Sequence, residues 1–349
     1  MLIAQGAHRD KRALTASYNY LIMGTIGATF FVIGVGFLYM ATGTLNMADL
    51  ADRIENQYDS RTVRAAFAFI MVGMGLKVAV FPLHLWLPNA YTYAPSAITS
   101  FLAATATKVA IYVMLRFLFS VFQPGFLAEV PTLDLLLYPF AILAMFAASY
   151  TAILQRDLKR MLAYSSIGQV GYMLLGVALL SKSGLMATMI HLFNHGITKA
   201  ALFMGVGVYV LNGGGSFYHN LRGRGKTMPW TSAAMVVAGL SLIGVPGTAG
   251  FLSKWLLVEA ALAQGMWPIA LLIVASSLLA VIYVWKLIET LYLAQPAEGL
   301  QDQNVPLMMM IPLWVMALAC IYFGFDTDIT LSAARSAAEG LLAGSAGMR

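Results

Sequence analysis

Seven ionisable side chains sit inside apolar runs: Lys77, Lys108, Lys199, Lys254, Glu259, Lys286 and Glu289. A charge at bilayer depth costs at least a few kcal/mol, which makes each of them a candidate for function. His191, His195 and Lys199 stand at i, i+4 and i+8, on one helical face over about 12 Å, with Asn194 and Thr198 flanking the stripe. Proton relay needs such a line, each group one hydrogen bond or one water from the next. A polar stripe that merely holds two helices together fits the spacing equally well. Burial penalises the charged form of a lysine and an approaching carboxylate favours it, so lysines in lipid can switch state and hand protons on. Two histidines without a cysteine or carboxylate at ligand spacing argue against a metal site. Snorkelling to the interface suits Lys286 as well as function does, and suits the central Lys77 and Lys108 poorly.

The elements around these groups are membrane helices. Of 349 residues, 60% are hydrophobic and 10% charged, against about 25% charged in a soluble domain. Continuous runs of roughly 20 apolar residues specify helices rather than the alternating strands of a barrel. The fold class is all-α, a polytopic transmembrane bundle with nine spans: 17–41, 63–86, 96–120, 133–155, 161–181, 184–211, 229–264, 267–294 and 306–325. The seventh is too long for one helix, and its Gly244–Gly250 stretch should divide it. Pro82, Pro88 and Pro95 mark a second broken region, near 82–95. Two breaks, each beside a lysine, suggest two related halves, as in inverted-repeat transporters.

Charge sets orientation and excludes other classes. Arg9, Lys11 and Arg12, then Arg156, Lys159 and Arg160, then Arg222, Arg224 and Lys226 fall at one end, the cytoplasmic one by the positive-inside rule. The formal net charge of +6 is scattered among loops and spans, which speaks against nucleic-acid binding. Cys320 is the single cysteine, so an intramolecular disulfide is excluded. Residues 1–14 are too polar and basic for a cleavable signal. No phosphate loop, dinucleotide fingerprint or iron–sulfur ligand set is present.

Four ordered motifs resemble one family. Residues 77–95 (KVAVFPLHLWLPNAYTYAP), 157–172 (DLKRMLAYSSIGQVGY), 191–203 (HLFNHGITKAALF) and 244–254 (GVPGTAGFLSK) are similar to the seventh, tenth, eleventh and broken twelfth helices of the antiporter-like subunits of Mrp-type cation/proton antiporters and respiratory complex I. The resemblance implies a fourteen-helix core with two inverted five-helix repeats, of which this chain carries helices six to fourteen. Residues 1–120 would be the remainder of the first repeat, 121–294 the second, and 295–349 a final span and tail. It also implies a proton-translocating line through Lys77, Lys108, His191, His195, Lys199 and Lys254. His84, Glu259, Lys286 and Glu289 would have supporting roles.

The implied protein belongs to a multisubunit antiporter in the bacterial inner membrane and is most like the D subunit of the Mrp type. Its partners would be the other subunits, protons, Na+ or K+, and the bilayer. It would carry no cofactor and no redox site of its own. A proton-pumping subunit of complex I or of a membrane-bound hydrogenase is the alternative, and a degenerate structural subunit is the next. In the family a fifth-helix glutamate pairs with the seventh-helix lysine. Here it would fall just before Met1, so the expectation is either a truncated reading frame or a separate chain that supplies the missing part.

Overall fold

The computed structural model describes residues 2–8, 10–130, 132–213, 215–295 and 305–343. Arg9 and the tail 344–349 lie outside the described residues, as does the connection 296–304. Among the described residues helices are joined by turns and loops, and the one extended pairing is an isolated bridge between Asp157 and Phe217.

Thirteen of the helices among the described residues order the bundle. They are α1 (Arg12–Thr42), α2 (Met47–Ile54), α3 (Arg61–Val78) and α4 (Trp86–Tyr93), then α5 (Ser96–Val121) and α6 (Leu136–Leu154). There follow α7 (Leu158–Ala178), α8 (Lys182–Leu211), α9 (Pro229–Ile243) and α10 (Ala249–Ala263). The last three are α11 (Trp267–Leu293), α12 (Leu307–Phe325) and α13 (Asp328–Leu342). By length and apolarity six of these qualify to cross a membrane among the described residues: α1, α5, α6, α7, α11 and α12. The helices that fall short, α3, α8 and the α9–α10 pair, hold Lys77, the histidine stripe and Lys254. Their polar groups and breaks dilute the apolar windows that identify the others.

The ends of the predicted spans hold to within a few residues, with two differences. The second span, expected over 63–86, stops at Val78, where Ala79 takes a left-handed conformation (φ 63°). Helix resumes only at Trp86. After α12, where the composition suggested only a tail, α13 turns back along α8. It is too polar for a span, but Ala334, Ala338 and Leu341 make a buried stripe at i, i+4 and i+7. An ion pair from Glu339 to Lys182 ties it to the start of α8.

Sequence dictates where the core sits. α7 is built mostly of small and apolar residues and is almost wholly buried, as a helix with no wide charged face must be. α8 packs against α7, α9, α10, α12 and α13, which makes it the second central element. Basic side chains close several helix ends. Arg53 donates to Thr42 O (2.7 Å), Lys159 to Ala94 O (3.0 Å) and Arg224 to Asn212 O (3.3 Å). Lys286 donates to Ile153 O (2.9 Å) and Gln155 O (2.8 Å). Each satisfies carbonyls that a helix leaves orphaned and places a cation at the negative end of the helix dipole.

Candidate functional site

The break in the seventh span builds the most elaborate lysine environment. α9 ends at Gly244 (φ 89°), a conformation that a side chain would strain. The chain then turns back so closely that a Cβ on Gly250 would stand 1.8 Å from the Ser241 carbonyl oxygen. Only glycine fits there. Four residues on, Lys254 reaches back across the turn. Its Nζ donates to Leu242 O (3.1 Å), Ile243 O (2.7 Å) and Ser277 Oγ (3.0 Å) and lies 5.0 Å from the centre of the Tyr172 ring. The two carbonyls are the last of a half-helix, the negative pole at which broken membrane helices hold cations.

α8 lays its polar stripe against this break. His191 Nδ1 meets Ser253 Oγ at 2.8 Å, one residue before Lys254. Asn194 Nδ2 donates to Ala249 O at 2.6 Å, and Thr198 Oγ1 lies 3.0 Å from Ser241 Oγ. The His191 and His195 rings are parallel, with centres 6.1 Å apart. Among the described residues His191 Nε2 and both ring nitrogens of His195 are buried without a hydrogen-bond partner. Nitrogens in that state are costly unless they exchange a proton or bind water. Lys199, 0% exposed, donates to Leu162 O (2.8 Å) and to Ser165 Oγ on α7.

Lys108 is buried on α5 beside a π-helical turn, Leu102–Ala106, that packs on α8. Such a turn releases carbonyls from the ordinary ladder, and Lys108 donates to that of Ala103 within the same helix. It lines a groove together with Gly196, Ile197 and Ala200 of α8, on the stretch that carries His195 and Lys199. The structure therefore brings Lys108, Lys199, His195, His191 and Lys254 along one helix. All four ion pairs among the described residues are exposed, and none includes these lysines.

The other candidates lie elsewhere. Lys77 occupies the last turn of α3 and is exposed. It makes no hydrogen bond or ion pair among the described residues. His84 is buried and stacked on Phe81 at 5.1 Å. Glu259 and Glu289 lie outside the buried line, with Glu289 opening the π-helical last turn of α11. Lys286 closes the end of α6 and lies 4.9 Å from the Tyr218 ring, a structural duty. Among the described residues no three His, Cys, Asp or Glu side chains come together as a metal site.

Sequence reasoning did not select Ser253, Ser277, Tyr172, Ser165 or Ser241 as site residues. One signal was present. Ser165, Gln169 and Tyr172 fall at i, i+4 and i+7, a polar stripe on the most buried helix.

Comparison with known proteins places this fold. Residues 1–280 match the family described as NADH:quinone oxidoreductase/Mrp antiporter, TM. The N subunit of NADH-quinone oxidoreductase from Desulforudis audaxviator is 39% identical over 95% of this chain and 68% of its own length. The D subunit of the Na(+)/H(+) antiporter from Alkalihalophilus pseudofirmus is 30% identical over 91% and 64%. A chain of the membrane-bound sulfane sulfur reductase, an archaeal respiratory membrane complex, superposes with a TM-score of 0.87 at 33% identity, over 98% of this chain and 68% of that one. The chain spans 56 to 69% of the length of the curated relatives it matches. It is an integral, multi-pass membrane protein and belongs to the NADH:quinone oxidoreductase/Mrp antiporter transmembrane family.

Proposed function

We propose that the chain is the proton-carrying membrane subunit of a multisubunit cation/proton antiporter in a bacterial plasma membrane. Lys108, Lys199, His195, His191 and Lys254 form the path, with Ser253 and Tyr172 positioning groups around it. One observation carries the reading: buried basic groups follow one another alongside α8, and among the described residues no carboxylate is bonded to them and three imidazole nitrogens have no partner. A structural stripe has reason to satisfy its hydrogen bonds; a relay has reason to leave some for the moving proton.

Lys77 joins the path when protein covers its face, because an exposed lysine in an apolar run is costly in lipid. Any redox chemistry belongs to partner subunits. A redox-driven proton pump is the second reading, and the 39% identity to a quinone oxidoreductase subunit favours it.

The assembled complex, reconstituted in vesicles carrying an imposed pH gradient and a pH-sensitive dye, separates the two. An antiporter dissipates the gradient when Na+ or K+ is added. A redox-driven pump stays silent until electron donor and acceptor are supplied. Silence under both conditions from an intact complex would leave a structural role.

A further inference from the structure

Two cavities beside the proposed relay run into each other. The first, of about 1100 Å³, opens at the basic end of the bundle and is lined by Arg12, Arg156, Lys159 and Arg160, with Asp10 and Asp157. The second, of about 710 Å³, is an almost wholly apolar groove between α5, α8 and α12. Ser96, Gly207 and Met309 line both, so the polar basin continues into the groove.

The two acids of the basin are already engaged. Asp10 is paired with Arg12 at 2.6 Å. Asp157 accepts from Ser216 Oγ and from the backbone N–H of Arg160 at 3.0 Å. Arg156 and Arg160 make no ion pair among the described residues, and both residues line the basin. The surplus is positive, and it sits at the membrane end that carries the excess of lysine and arginine.

The groove descends from there. Along α8 it runs from Gly207 to Leu192, about 22 Å at 1.5 Å per residue, against roughly 15 Å for half a hydrocarbon core. Met308, 88% exposed, and the exposed Phe101 and Val109 form its rim. Lys108 is its one basic lining residue.

We propose that this composite cavity binds an anionic phospholipid of the cytoplasmic leaflet, with the phosphate between Arg156 and Arg160 and an acyl chain along the α8 groove. Basic pockets between membrane helices on the cytoplasmic side recognise such headgroups, and here the recognising charges and the apolar channel are continuous. The acyl chain lies over Lys108 and seals it from the bilayer. The assignment goes beyond the relay and does not depend on it.

The test uses the assembled complex, stripped of lipid in mild detergent. Phosphatidylglycerol and phosphatidylcholine are added back in turn, with retention read by native mass spectrometry. The complex should hold phosphatidylglycerol at least about tenfold better than phosphatidylcholine, a difference of about 1.4 kcal/mol. An Arg156→Gln/Arg160→Gln variant should lose that preference. Ala97→Trp, on the groove wall, should lose the lipid while its basic cluster stays intact. Retention unchanged in both variants overturns the proposal. Loss in the arginine variant with full retention in Ala97→Trp also overturns it, since that marks an anion site with no acyl channel. A photo-cross-link from position 97 to another protein of the complex, rather than to lipid, shows the groove filled by protein and overturns it as well.

Discussion

The chain breaks two membrane helices beside a lysine, and the two breaks end differently. After α9 the chain turns at Gly244, and Lys254, 6% exposed, folds back onto Leu242 O, Ile243 O and Ser277. After α3 it turns at Ala79, and Lys77 is exposed, with no bond among the described residues. In sequence the two look alike: a lysine in an apolar run next to proline or glycine. What separates them is tertiary. Lys254 has α7, α8 and α11 around it, bringing Tyr172, the histidine stripe and Ser277. A helix break supplies the carbonyls, but only neighbouring helices make the site.

The sharpest separation comes from removing each lysine in turn. Lys254→Ala leaves Leu242 O without its lysine partner, while Ser277 Oγ still donates to Ile243 O, and should cost about 1–3 kcal/mol of stability. In the assembled complex it should lower proton flux about 100-fold, or roughly 2.7 kcal/mol of barrier. Lys254→Arg should also impair flux, since arginine does not give up its proton. Lys77→Ala should leave the thermal stability of this chain within about 0.5 kcal/mol of the parent. Equal destabilisation by the two alanines, in parallel melting experiments, would erase the difference between the breaks.

The second separation is steric. Gly250→Ala puts a methyl 1.8 Å from the Ser241 carbonyl oxygen, so the α9–α10 turn must open and the assembled complex should be lost from native gels. At the other break the nearest atom to a Cβ on Gly75 is Leu83 Cδ1 at 3.4 Å, an ordinary contact. Gly75→Ala should assemble normally, and the helix preference of alanine should add up to about 1 kcal/mol. The smallest effect is that of Ser253→Ala, which removes the hydrogen bond at His191 Nδ1. A net hydrogen bond of about 1 kcal/mol corresponds to a roughly fivefold slower flux at unchanged complex levels.

Most helices were readable because an apolar run of about 20 residues has few alternatives. The breaks were readable because Gly244, Pro246 and Pro82 punctuate those runs. The histidine stripe was readable from its i, i+4 spacing. The partners were not. Leu242 O, Ile243 O and Ala103 O are backbone atoms, and nothing in their residue type shows that a lysine will reach them. Lys286 and Lys254 are equally basic and equally set in apolar sequence, yet one closes an end of α6 and the other sits at a mid-bundle break. α13 escaped notice because its Arg335 and Glu339 made it too polar for a span, although its Ala334, Ala338 and Leu341 stripe was there.

The proposed relay turns on His195, whose two ring nitrogens are buried without a partner among the described residues. Glutamine keeps similar bulk and hydrogen-bonding capacity but does not take up and release a proton near neutral pH. A helix-to-helix bond in a membrane is worth about 0.6 kcal/mol, so a purely structural stripe tolerates the change. The deciding measurement is proton flux per assembled complex in vesicles for His195→Gln, with complex quantified on a native gel. A relay predicts flux at least about tenfold lower, or about 1.36 kcal/mol of barrier, at undiminished complex. Unchanged flux per complex would contradict it.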